Sequence, residues 1–141
     1  MSPSRRWYRI ASGFLLVAAG GHLAAHWRFY LATDAFDAPR RAVMEAMQAY
    51  VVFPPTGATL WTVLQMFSLC FAILLALFGT QGWFLAREAE SAALRRHAIR
   101  HTVLCFVAVL ALAALHPVPQ ALAIFGGALL LFGASALARR D

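Results

Sequence analysis

A chain of 141 residues that is 62% hydrophobic and only 13% charged, with a mean hydropathy of +0.68, lacks the polar surface of a water-soluble domain, which carries about 25% charged residues. The formal charge of +6 comes from arginine alone, and the arginines flank apolar segments (Arg5, Arg6 and Arg9; Arg87, Arg95, Arg96 and Arg100; Arg139 and Arg140) rather than forming one surface, which excludes a nucleic-acid binder and suits lipid phosphates. Cys70 and Cys105 each fall inside an apolar run without CxxC spacing, so they read as small buried side chains and not as a redox pair.

The first span is expected over about 10–27, just long enough to cross about 30 Å of hydrocarbon. Arg5, Arg6 and Arg9 ahead of it look like the charged start of a secretory signal, and the segment is read as an uncleaved anchor. At helical spacing Gly13, Gly20, Gly21, Ala24 and Ala25 gather towards one side, Leu15, His22 and His26 share another, and Leu16, Leu23 and Trp27 a third. The small side suits another helix, the leucines suit lipid, and the histidines need polar company.

From Arg28 to Thr59 the chain turns polar. Asp37 as a cap, Pro39 in a first turn, and Val43, Met44, Met47 and Tyr50 at helical spacing predict an interfacial helix over about 38–50, too short and too charged to span. Pro54, Pro55 and Gly57 then reset the direction of the chain. A second span over about 60–85 carries Trp61 and Trp83 as interface anchors and a polar stripe of Thr62, Gln65 and Ser68 or Leu69.

The charged, alanine-rich stretch after Arg87 prolongs the helices on either side of a short connection near Ser91. A third span is expected over about 99–116, ended by His116 and Pro117, and a fourth over about 118–138, where Ala123, Gly126 and Gly127 lie on shared small faces. The predicted fold is thus all-α, one domain, a four-helix integral membrane bundle with a short interfacial helix between its first two spans. Nine arginines lie before span one, between spans two and three, and at the C-terminus, against Arg28, Arg40 and Arg41 between spans one and two, where Asp34, Asp37 and Glu45 accompany them; the bias points to a multi-pass protein of a bacterial cytoplasmic (inner) membrane with both termini cytoplasmic.

That topology puts His22, His26 and His116 at the same, non-cytoplasmic side. Taking 1.5 Å per residue, His22 lies about 7 Å inside Trp27 and Gln65 about 6 Å inside Trp61, with Glu45 and Gln48 of the interfacial helix above them. His22, His26, Gln65, His116 and Glu45 are therefore the expected ligand-binding residues. His22 and His26 at four-residue spacing, joined by His116, also form a candidate set for a metal ion or haem. Arg95, Arg96, His97 and Arg100 are expected at lipid headgroups, because so cationic a neighbourhood repels a metal. There is no glycine-rich phosphate loop, nucleophile elbow, HExxH or intramembrane carboxylate pair, so the usual soluble-enzyme chemistries have no foothold.

The Gly20, Gly21, His22 stretch, the segment from Val43 to Met47 and the Trp61 start of span two resemble a family of small, uncharacterised bacterial four-helix membrane proteins. The resemblance covers roughly the first 85 residues; it implies a four-helix membrane fold and no particular activity. Three functions remain open on these residues. One is a pocket that binds, and with imidazole as acid, base or metal ligand transforms, a lipid-soluble small molecule. A second is a non-catalytic subunit or membrane assembly partner whose glycine faces dock other helices, and a third is a channel or transporter, which at this size requires a homo-oligomer.

Overall fold

The computed structural model describes residues 2–88, 91–115 and 119–138. Among them helix dominates, with five α-helices and one short two-stranded hairpin. Helix α1 spans Pro3–His26. Ser2 caps it, accepting from the Arg5 amide at 3.4 Å, and Pro3 takes the first helical position, where its missing N–H costs nothing. At its end the helix widens into a π-turn over Trp27–Leu31, with the Ala32 amide bonded to the Trp27 carbonyl at 3.0 Å.

Helix α2 spans Ala38–Ala49, and its signals are those of the sequence: the Asp37 carboxylate accepts from the Arg40 amide at 3.0 Å, and Pro39 sits in the first turn. Only Met44 and Met47, three residues apart, are partly covered on it; its other residues are exposed. The hairpin of β1 (Val51–Phe53) and β2 (Ala58–Thr59) follows, antiparallel and irregular in register. Pro54 and Pro55 open its turn and Gly57 closes it at φ +68°, a conformation that favours glycine. Helix α3, Leu60–Glu88, starts on a reciprocal cap: the Thr59 amide donates to the Thr62 hydroxyl at 2.9 Å and the Thr62 amide to the Thr59 hydroxyl at 3.3 Å. Ser91 caps α4 (Ala92–Leu115), accepting from the Leu94 amide at 3.3 Å, and Pro119 opens α5 (Pro119–Leu137).

Three helical stretches are long and apolar enough to cross a membrane among the described residues: Pro3–Leu31, Leu60–Arg87 and Pro119–Leu137. The chain divides into two packed units, residues 1–18 with 75–141, and residues 19–74.

In the first unit α4 packs along α5. Its core is an aromatic stack: Tyr8 meets Phe132 edge-on at 5.1 Å between ring centroids, and Phe106 lies nearly parallel to Phe132 at 5.7 Å. The unit buries small or hydroxylated residues (Ala11, Ser12, Ala128 and Ser135) together with Leu15, Leu75 and Ile99, while Val17, Leu104, Leu130 and Leu137 are exposed. So many large apolar residues on the outside suit helices that meet in part through small residues and turn other leucines to lipid. The closest approaches are at Gly79, where an added Cβ would lie 2.8 Å from Leu16, and at Gly82, where it would collide with the Ser12 hydroxyl. Of the glycines expected at helix contacts, Gly127 lies against Phe14, where an added Cβ would come within 2.9 Å of the ring, whereas a Cβ added at Gly20, Gly21 or Gly126 would meet nothing within 4 Å.

Candidate functional site

The site builds up from two facing stripes within residues 19–74. On α1, His22 and His26 are four residues apart; on α3, Trp61, Gln65, Ser68 and Phe71 recur at spacings of four, three and three. His22 Nε2 lies 3.0 Å from the Ser68 hydroxyl, and its ring stands edge-on to Phe71 at 4.7 Å. His26 packs on Tyr30 at 4.9 Å between centroids, and Tyr30 in turn meets Trp61 at 5.0 Å. The Gln65 amide donates to the Tyr30 carbonyl at 3.4 Å. That carbonyl lies in the last, widened turn, where helix carbonyls lack partners of their own, so Gln65 closes the end of α1 from α3.

The two histidines are not equivalent. His22 is half-buried and its ring has a polar partner and an aromatic one. His26 is 4% exposed, and its Nδ1 is sealed from solvent with no hydrogen-bond partner. A neutral imidazole carries one donor and one acceptor nitrogen, and an unpaired buried polar group costs about 1–3 kcal/mol. His26 lies next to a π-turn, a form of helix frequent at functional positions.

The other expected residues fall as follows. Gln65 joins the cluster through Tyr30 rather than through an imidazole, and Ser68, one turn further along the same polar stripe, is the residue that pairs with His22. Glu45 and Gln48 are exposed on α2, and neither hydrogen-bonds to a described residue. His116 lies outside the described residues. No group of three or more His, Cys, Asp or Glu that could hold a metal occurs among the described residues, which do not include His116, and His22 engages Nε2 with Ser68. Arg95, Arg96, His97 and Arg100 occupy the first turns of α4 in the other unit, with Arg96, His97 and Arg100 exposed and Arg95 partly covered.

The aromatic members Tyr30, Trp61 and Phe71 were not expected at the site. Trp61 and Phe71 do fall on the helical face that holds Gln65 and Ser68, so a count along that stripe would have found them; nothing in the sequence marks the π-turn that brings Tyr30 beside His26. No family model matches the chain, and no match was found among the curated proteins or the solved structures.

Proposed function

We propose that the chain is a multi-pass protein of a bacterial cytoplasmic membrane that binds a lipid-soluble small molecule, bearing a carbonyl or hydroxyl group, at His26 near the non-cytoplasmic face. In this reading α1, α3, α4 and α5 cross the bilayer with both termini cytoplasmic, and α2 lies in the interface. Three apolar helices of spanning length support it, as do the apolar residues from Val103 to Leu115 of α4, the lipid-suited surface of the first unit, and the arginine-rich flanks. Exposed Val43, Tyr50, Val51 and Phe53 on α2 and the hairpin suit a segment resting on the hydrocarbon boundary.

The observation that carries the binding reading is the unpartnered Nδ1 of His26. A polar atom with no partner is least tolerable where no water can reach it, and a ligand oxygen that enters by local opening of the packing around His26 would satisfy it as hydrogen-bond acceptor or donor according to the tautomer. Tyr30 and Trp61 supply flat apolar surface beside it, the usual lining of a small-molecule site with few polar groups. The test is to purify the protein in mild detergent, extract it with organic solvent, and compare the extract with that of His26→Phe by mass spectrometry. A non-phospholipid lipophile present in the wild type and depleted in the variant is the expected result. A wild-type extract holding only bulk phospholipid would overturn the reading.

A second reading has one observation in its favour. His22 is satisfied by Ser68 and Phe71 inside the chain, which is how a purely structural histidine behaves in a helix pair, and Gly20 and Gly21 leave an open face beside it. A non-catalytic subunit docking another membrane helix, or a second copy of this chain, on that face would fit both.

A further inference from the structure

At the start of α4 the first unit holds a cleft of about 80 Å³, bounded by Arg96, Ile99 and Arg100 on α4, by Ser4 on α1, and by Ser135, Ala136 and Ala138 at the end of α5. One water needs about 10–15 Å³ of such space, so the cleft admits a group of several heavy atoms. Its chemistry is one-sided. Arg96 and Arg100, four residues apart, present two guanidiniums to the same side of α4, and neither pairs with a described residue. No carboxylate is among the described residues that line the cleft.

The serines are already spent on each other. The Ser4 hydroxyl donates to the Ser135 carbonyl at 2.9 Å, and the Ser135 hydroxyl donates to the Ser4 carbonyl at 2.9 Å. They fix the start of α1 to the end of α5 and so hold the cleft's shape, leaving the free donors to the arginines. Ser4 is the second residue of α1, so the positive end of that helix adds to the guanidinium charge. Arginine is always charged, and its planar donor fork matches phosphate oxygens in pairs. Below the charged rim the walls are Ile99, Ala136 and Ala138, and the neighbouring Leu137 is 86% exposed.

We propose that this cleft is a discrete site for one anionic phospholipid, its phosphate held by Arg96 and Arg100 and its glycerol end resting on the alanines and Ile99. A charged rim over an apolar wall, continuous with an exposed leucine surface, suits an amphiphile better than a soluble anion. The proposal rests on the membrane assignment above and is independent of the histidine site.

Native mass spectrometry of the full chain, titrated with phosphatidylglycerol, phosphatidylcholine or inorganic phosphate, tests it. A single phosphatidylglycerol should bind in preference to phosphatidylcholine, and equimolar inorganic phosphate should not displace it. Arg96→Gln with Arg100→Gln should weaken that event at least about tenfold, since two charge-assisted contacts are lost, whereas Arg40→Gln with Arg41→Gln, an equal loss of charge in the other unit, should leave it unchanged. Circular dichroism confirms that each variant keeps its helices. Arg96→Lys with Arg100→Lys serves as a charge-conserving second variant, expected to bind between wild type and the glutamine pair. Equal weakening by both glutamine pairs would reduce the effect to general electrostatics and overturn the site; so would equal binding of the two lipids. Displacement by inorganic phosphate would assign the arginines to a soluble anion and overturn the lipid.

Discussion

The two units differ in the residues they bury completely. Among the described residues of 1–18 with 75–141 the fully buried polar residues are Ser12 and Ser135, and both hydroxyls are paired: Ser12 donates to the Tyr8 carbonyl at 2.8 Å, and Ser135 exchanges hydrogen bonds with Ser4. In residues 19–74 the most buried polar side chain is His26, and one of its nitrogens has no partner. The first unit also holds an aromatic stack in its interior and closes its helices on Gly79 and Gly82; both units carry exposed large apolar residues, Leu130 and Leu137 in the first, Leu23 and Trp27 in the second. Satisfied packing is what a scaffold needs. An unsatisfied atom beside a π-turn is a local cost that the rest of the chain must offset, and such costs persist where they serve a function.

If the first unit is the scaffold, its centre should be the most sensitive place in the molecule. Phe132, 1% exposed and touching both Tyr8 and Phe106, should cost about 3–5 kcal/mol when replaced by alanine, since the stack cannot close over the gap. Leu130, two residues away and 76% exposed, should cost no more than about 0.5 kcal/mol. Reversible unfolding in mixed detergent micelles measures both. Similar losses at the two positions would remove the distinction between the units.

Much of this was legible in the sequence, and the parts that were not have physical causes. The Asp37 cap, the Pro39 first turn and the Ser91 connection are local signals, carried by residues that act on backbone groups within one turn, and the structure uses each of them. The hairpin of Val51–Phe53 with Ala58–Thr59 was not anticipated, because strands of three and two residues are too short to show an alternating pattern. Small-residue spacing identified Gly127 as a close contact but not Gly79 or Gly82, which lie on a long apolar helix whose radial orientation no periodicity reveals. At the site, four-residue spacing placed His22 and His26 together on α1, yet their different surroundings depend on the facing residues of α3, which only the fold supplies.

Those different surroundings give the two imidazoles opposite expected effects. Ser68→Ala removes the partner of His22 Nε2 and should lower stability by about 0.6 kcal/mol, up to about 1.7, the range of side-chain hydrogen bonds between membrane helices. His26→Phe removes the unpaired Nδ1 while keeping a ring against Tyr30, and in delipidated protein it should raise stability, by at most the roughly 1–3 kcal/mol that an unsatisfied buried group costs. The same unfolding titration reads both. A loss on His26→Phe comparable with that on Ser68→Ala would mean that His26 is satisfied in the native protein, and the contrast between the units would disappear with it.

The smallest effect is expected at Gly21, and it separates the chain's own packing from its assembly. An added Cβ there meets nothing within 4 Å, and alanine is the better helix former by about 0.8–1.0 kcal/mol per residue in water, so Gly21→Ala should leave the monomer unchanged or slightly more stable. Gly21→Leu should also be tolerated by the monomer, since the larger side chain enters open space. A second helix seated on the Gly20 and Gly21 face would change the outcome for leucine alone. Small residues permit close backbone approach, and leucine at the contact would push the partner away. Chemical crosslinking in native membranes, paired with the monomer's unfolding titration, reads the two effects separately. Loss of a crosslinked species on Gly21→Leu with monomer stability intact would establish that this face docks another helix. Loss of monomer stability on Gly21→Ala would show that the face is covered within the chain, contrary to the open space beside it.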